Sequence, residues 1–429
     1  VETLLEQLSD ELDRRGNDFS CDFALQQAVL FFQQQKMETN VEEMQELLDD
    51  GMLEEAKELL LSTELPELED QQIESTNILT DPETLRVGFE DASEPLIFFP
   101  NALGRFTNRL WIRKGFVAIL GPEKRGKTWL LNEIALQALK QKRNVAYFNC
   151  GDLDNEEQAV RFAVRIARRS NLKEHCGTFY TPMLDCKWNQ EDTCTRADRA
   201  SGCGIGGLEV TEPEDIDMAP PEYKPCRVCA KESHFKGAVW HKKITIDEPL
   251  DWREALQINR NFLTRHRITE KNFRMRSYPG DTFSLEDLDK TLEKWALEDG
   301  YTADVIIFDY LDVAATDSKL IGTRHMENHK WKKSRSISQK WNALFVTATQ
   351  ADGKSYEQDT LHEGNFSEDK RKYAHVTGFL TLNQTEEEAN LGIMRIGRFM
   401  TRHMKKTKAQ VTVLQNLQRG LVHLGSFFH

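Results

Sequence analysis

The sequence predicts an α/β protein: a mainly parallel, twisted sheet around a phosphate-binding loop, preceded by an all-helical arm and interrupted by a cysteine-rich insertion. Three observations carry this. Residues 121–128 read Gly-Pro-Glu-Lys-Arg-Gly-Lys-Thr, between an apolar run at Phe116–Leu120 and a helix opening at Trp129–Leu136. Apolar strand-like runs then alternate with helical periodicity and end in consecutive strands, the pattern of a parallel sheet extended by antiparallel ones. Finally, five of the eight cysteines fall within residues 183–245, where periodicity fails.

Residues 1–62 form the expected helical arm. Leu4, Leu5, Leu8 and Leu12 recur at helical spacing, followed by apolar stretches at Ala24–Phe32 and Leu47–Leu60. The first 80 residues hold 21 Asp and Glu against four Lys and Arg, a balance of −17. The remainder, with 49 acids against 52 bases, is near neutral. The overall charge of −14 therefore describes the arm and does not exclude nucleic acid as a partner of the body. Residues 63–95, acidic and holding Pro66 and Pro82, read as a linker. No apolar run approaches the roughly 18–20 residues needed to span a bilayer, so no membrane partner is expected. With no secretory-signal pattern and no disulfide framework, a cytoplasmic location is expected.

The body, residues 96–429, is read as a series of elements. Strands are expected at 144–149, 273–278, 305–309, 343–349, 376–383, 392–400 and 410–415, with a helix at 156–169. Ser284 with Asp287 makes a capping box before a helix whose buried stripe is Leu285, Leu288, Leu292 and Trp295.

The loop at 121–128 matches G-x-x-x-x-G-K-[ST] in its required setting of strand, loop and helix. Gly121 and Gly126 let the backbone turn tightly. The main chain of Pro122, Glu123, Lys124 and Arg125 then wraps a polyphosphate ahead of a helix N-terminus beginning near Trp129. Lys127 neutralises the β and γ oxygens and the Thr128 hydroxyl ligates Mg²⁺. A nucleoside triphosphate, ATP, is the expected ligand. The run Val305-Ile306-Ile307-Phe308-Asp309 delivers a carboxylate at a strand end, as a Walker B element needs for the same Mg²⁺. The bland reading of Asp309 is a turn cap. Asp309 lies 181 residues after Thr128, and removing the insertion leaves roughly three βα units, a fitting distance. A third strand ends at Thr349-Gln350, whose amide can sense a γ-phosphate; otherwise it is a hydrogen-bonded strand-end glutamine.

Taken in order, the phosphate loop, Ile307-Phe308-Asp309-Tyr310-Leu311 and Thr347-Ala348-Thr349-Gln350 resemble the motifs of the RecA-like ATPase domain of DnaB-type replicative helicases, particularly phage relatives. Phe99–Gly104 sits where that family enters its core, and Asp359–Gly364 resembles its DNA-binding loop, with His362 where an arginine is usual, followed by Glu363 and Gly364. The resemblance spans about residues 85–429. It implies a homo-oligomeric ring, with a hexamer expected, ATP between subunits, single-stranded DNA in the channel, bacterial or phage-infected cytoplasm, and a primase or loader as partner. The family's arginine acting in trans matches Arg402 best, with Arg398 as rival because Met400 replaces the usual lysine. The glutamate that orients the attacking water is missing. Asp152 is the nearest substitute, with Asp154 and Glu156 as other candidates.

DNA contacts are expected from Lys319, Arg324, His325, His329, Lys330, Lys332 and Lys333 after the Walker B strand, and from Lys370 and Arg371 after the His362 loop. Such cations track a backbone without reading bases. Arg161, Arg165, Arg168 and Arg169 read as surface or interface. In the insertion, Cys226 and Cys229 form a C-x-x-C knuckle, with Cys186, Cys194 and Cys203 upstream and His234 and His241 as outside options. Four of the five thiols would close a structural Zn²⁺ site, supplying folding energy that a small loop-rich insert lacks. Function is thus expected to be ATP-dependent helicase action in replication. A recombinase or regulatory ATPase, or a non-enzymatic assembly factor that keeps ATP to hold its oligomer, is the competing class.

Overall fold

The computed structural model describes residues 21–49, 52–53, 59, 79–82, 85–86, 94–151, 153–232, 234–316, 323–351, 360–361, 374–401 and 410–428. Two compact units result: 1–92 with 290–302, and 93–289 with 303–429.

In the first unit, α1 (Cys21–Asp49) is one continuous helix, about 43 Å long at 1.5 Å per residue. It merges the second expected apolar stretch with the start of the third. Phe32, Met37, Val41 and Leu48 lie exposed along it, and Gln34 donates to Glu38 one turn on at 2.9 Å.

The second unit is built on a nine-stranded sheet in the order β11-β10-β9-β8-β1-β7-β6-β2-β5. Its parallel half comprises β1 (Phe116–Gly121), β2 (Val145–Asn149), β5 (Phe273–Ser277), β6 (Val305–Asp309), β7 (Leu344–Gln350) and β8 (Gly378–Asn383). Antiparallel strands β9 (Ile393–Thr401), β10 (Gln410–Asn416) and β11 (Leu421–Phe428) extend it. The expected mixed sheet is therefore present, with β11 as an addition.

Four strands, β1, β2, β6 and β8, are buried end to end, and β7 to its last residue, which is why they read as continuous apolar runs. On one face, Val117, Ile119, Tyr147, Ile307 and Val346 pack with Leu130, Leu131 and Ile134 of α3 (Lys127–Lys140). On the other face Phe116 meets Phe345 and Trp331, with ring centroids 5.4 and 5.5 Å away. Trp331 belongs to α7 (Thr323–Lys340), so the two helices clamp the central strands from opposite sides. Before the sheet, α2 (Asn101–Thr107) presents Phe106 to Phe428 of β11, 6.2 Å between centroids.

The helix expected at 156–169 is α4 (Asn155–Ala167), and the Ser284–Asp287 box opens α6 (Leu285–Asp299) as read, with Ser284 Oγ accepting from the Asp287 amide at 3.1 Å. Between them lie elements that the periodicity does not announce. β3 (Gly177–Cys186) pairs antiparallel along its whole length with β4 (Gly237–Ile246), framing the cysteine-bearing loops. Leu184 buries against Leu414 and Phe427 of the main sheet. Gly237 lies so close to Phe427 that a Cβ there would sit 2.1 Å from the ring, so only glycine fits. The chain returns through α5 (Trp252–His266), capped by Asp251, which accepts from the Arg253 amide at 2.8 Å.

Candidate nucleotide site and cysteine cluster

The strand register collects the motif residues at one edge of the sheet. Gly121 pairs with Gln350, Asn149 with Asp309, and Asn149 with Ser277. All are C-terminal strand ends, the side on which ligands sit in α/β sheets. Continuous apolar runs fix the register, and each motif's polar residue is the first one past the buried run.

The loop leaving β1 turns through Gly126, whose φ of 83° is left-handed and which caps the N-terminus of α3. A Cβ on Gly126 would also meet Leu417 at 3.1 Å. Lys127 Nζ donates to the carbonyls of Gly121 and Pro122 at 2.7 and 2.8 Å. Burial pushes the Lys127 ammonium down from its ordinary value, opposed by the charges of Asp312, Asp309 and Glu123. Arg125 reaches Gln384 Oε1 at 3.2 Å, and Arg161 lies 5.3 Å from the ring centre of Trp129.

Asp309 is almost fully buried. The Thr128 side chain hydrogen-bonds to it and Tyr147 OH donates to its Oδ2 at 3.3 Å. Burial pushes the Asp309 carboxyl up, while those hydroxyls and the charges of Arg161 and Lys127 pull it down. A hydroxyl and a carboxylate in direct contact are hard oxygen donors, the set that suits Mg²⁺. Cys150, whose amide donates to the Asp309 carbonyl at 2.7 Å, is buried and its thiol is pushed up to about 12, first by burial and then by Asp309. It is an inert thiol, as its isolation in the sequence implies.

Two residues that sequence reasoning passed over complete this edge. Asn149 Nδ2 donates to the Leu153 carbonyl and, at 3.1 Å, to Ser277 Oγ, shaping the turn at 150–153. Asp312, just beyond the Walker B strand, accepts from Thr349 Oγ1 at 2.9 Å and from the Gln350 amide at 2.8 Å. Only a tertiary partner reveals Asp312, since acids are common in the turns that follow strands.

Of the carboxylates weighed as the water-orienting group, Asp154 is the N-cap of α4, accepting from the Glu157 amide at 2.7 Å. Glu156 lies exposed in the first helical turn. Asp152 lies outside the described residues, as do Lys319, His362, Glu363, Gly364, Lys370, Arg371, Arg402 and the Arg324 side chain. Arg398 is buried, donates to the Phe106 carbonyl and stands 4.6 Å from the centre of that ring. It is engaged inside its own chain, which removes it as rival to Arg402.

The basic stretch after β6 is not one solvated face. Lys330 is buried, donating to the Asp312 carbonyl and pairing with Glu327, both at 2.9 Å. Lys333 pairs with Asp289 at 3.1 Å and His329 with Glu286 at 3.2 Å. His325 and Lys332 are exposed on α7. Arg165, read as surface or interface, is buried in an ion pair with Glu133.

In the insertion, Cys186, Cys226 and Cys229 are buried together beside Trp188 and Phe235, whereas Cys194 and Cys203 are half-buried. Among the described residues, no three Cys, His, Asp or Glu side chains converge in metal-holding geometry. The structure thus does not gather the five thiols into one site. Buried Asp185 ties the cluster, its Oδ1 accepting from the amides of Cys186 and Cys226 at 2.7 Å and its Oδ2 from Tyr223 OH at 2.5 Å. His241 donates or accepts at the Leu391 carbonyl, 3.0 Å away, facing the main sheet. His234 pairs with Glu232 at 3.0 Å.

With this geometry in hand, comparison with solved structures is decisive for the fold. A helicase ATPase domain superposes with a TM-score of 0.52 at 11% identity, covering 82% of this chain and all of that one. The chain shares the RecA-like fold of DnaB-type replicative helicases. A DnaB-like replicative helicase, described with its interactions with primase, superposes with a TM-score of 0.53 at 12% identity over 94% of this chain and 78% of the other. No family model and no curated protein matches the sequence. Among the described residues, no helix is long and apolar enough to cross a membrane.

Proposed function

We propose that this chain is an ATP-driven motor that translocates on single-stranded DNA and separates strands during replication, working as a ring of identical subunits, six by analogy with the fold. The observation that carries it is the convergence of Lys127, Thr128, Asp309 and Gln350 at one sheet edge, in the fold of helicase ATPase domains. Thr128 and Asp309 would hold Mg²⁺, which draws charge from the β- and γ-phosphates. Lys127 neutralises the same oxygens, Gln350 contacts the γ-phosphate side, and Asp152 orients water. Arg402 reaches into the neighbouring subunit's site. DNA is held by Lys319, Arg324, the His362–Gly364 loop, Lys370 and Arg371, with exposed Lys332 beside them. By analogy alone, a primase or loader docks on the acidic arm.

A forked-duplex unwinding assay with ATP tests this, with Lys127→Ala as control. Unwinding that depends on ATP and vanishes in the variant supports the motor. DNA-stimulated hydrolysis without unwinding favours a recombinase-like or regulatory ATPase. Asp152→Asn should bind ATP but not turn it over; unimpaired steady-state hydrolysis removes that assignment.

For the insertion, the C-x-x-C spacing and the shared burial of Cys186, Cys226 and Cys229 support a structural zinc site, with Cys194 or Cys203 as fourth thiolate.

A further inference from the structure

We propose that Asp312 is a positioning residue that ties the Gln350 strand end to the Walker B turn and to helix α7. This rests on the nucleotide-site reading above and extends it from the phosphates to the helix behind them.

The connections are continuous. The Thr349 hydroxyl lies 2.9 Å from both Asp312 carboxylate oxygens, so one proton is shared between them. The Gln350 amide donates to Oδ2 at 2.8 Å. Adjacent donors on β7 are therefore held by one acidic side chain from the turn after β6. The main-chain oxygen of Asp312 takes the buried Lys330 ammonium at 2.9 Å, and Lys330 is itself paired with Glu327 on α7.

Burial makes these bonds demanding. Thr349 is fully buried, and leaving its hydroxyl or the Lys330 ammonium unpaired would cost about 1–3 kcal/mol or more. The carboxylate cannot move from β7 without releasing both donors, and its backbone cannot move without disturbing Lys330. Gln350 stands opposite Gly121, the first residue of the phosphate loop. A displacement of the Gln350 end by a γ-phosphate is thus transmitted through Asp312 to α7, on which His325 and Lys332 are exposed.

The competing role for Asp312 is counter-charge, since it is the largest attraction on Lys127. Asparagine separates the two: it presents an oxygen to the Gln350 amide and a polar group to Thr349, but no charge to Lys127. Native protein, Asp312→Ala, Asp312→Asn and Thr349→Val are compared by hydrogen exchange over residues 344–351 and α7, and by steady-state ATP hydrolysis. Asp312→Ala should speed exchange in both segments and lower kcat roughly 10- to 100-fold, with KM for ATP within about threefold. Asp312→Asn should stay close to native in both readouts, and Thr349→Val should move exchange in the same direction by less. Native-like exchange in Asp312→Ala overturns the proposal, and in Thr349→Val it does so even if the alanine variant fails to fold. An asparagine variant as slow as the alanine one, with native exchange, makes Asp312 a counter-charge instead. Failure of the native chain to hydrolyse ATP would sink the motor reading alone, because the exchange arm needs no turnover.

Discussion

Glu133 of α3 and Arg165 of α4 form a two-point ion pair sealed from solvent, with Arg165 Nη2 3.0 Å from Glu133 Oε1 and a second contact through Nε. The Glu133 and Arg165 side chains keep 2% and 9% of their accessible surface. Burial pushes the Glu133 carboxyl up, but the Arg165 charge and hydrogen bonds bring it below its ordinary value. Breaking such a pair from one side strands a buried charge and costs about 3–5 kcal/mol. Glu133→Gln should therefore lower stability by about that much in urea unfolding; a loss under about 1 kcal/mol would show that the pair is solvated. Because the folded pKa is depressed, the pair's contribution is present above 4.5 and fades as pH falls below it.

At the nucleotide site, Lys127→Ala should abolish turnover, by roughly 100-fold or more, while leaving the thermal midpoint unchanged or raised. Burial already disfavours the Lys127 charge, so its removal relieves a cost in the folded protein. A variant that hydrolyses ATP at a native rate would end the assignment.

Asp309→Asn should raise the Mg²⁺ concentration needed for half-maximal hydrolysis by at least about tenfold. Asparagine still accepts from Thr128 and Tyr147, so circular dichroism should be unchanged. An unaltered Mg²⁺ titration would mean that Asp309 caps its turn and nothing more.

His423 reports on acid stability. Its Nε2 lies 3.0 Å from Ser426 Oγ, which also accepts from the Leu103 amide, and burial pushes the imidazole down to about 4. The folded state then binds fewer protons than the unfolded one between about pH 6.5 and 4, so stability falls as pH falls through that window. His423→Gln should flatten this part of a stability-versus-pH curve relative to native. Parallel curves would show that His423 is protonated in the folded state.

Elemental analysis of protein purified without chelator should find one zinc per chain, and Cys226→Ser should lose it. Far less than one equivalent in the native protein would make Cys186, Cys226 and Cys229 a packed thiol cluster.

Most of the sheet is legible in the sequence because its strands are buried on both faces. Val305–Phe308 and Phe345–Val346 cannot be polar anywhere, so the run itself marks the strand and its polar terminus marks the edge. The β3–β4 hairpin is hidden by its half-exposed alternation and by the glycines and prolines around it. Helix α5 leaves only Asp251 as cap and Ala255, Ile258 and Phe262 at helical spacing, too narrow a stripe to stand out. Asp312 and Lys330 escape notice for one physical reason: charge in sequence suggests solvent, and only tertiary partners show that it is internal.

The pairing of Gly177 with Ile246 has a consequence for how this chain could be re-engineered. The insertion leaves and rejoins the core at neighbouring positions on two strands, about 5 Å apart. It is a portable cassette: a short turn could close the gap, provided that Leu414 and Phe427 are replaced with polar residues where Leu184 now shields them. Whatever the cassette recognises could then be traded between motors without redesigning the engine that drives them.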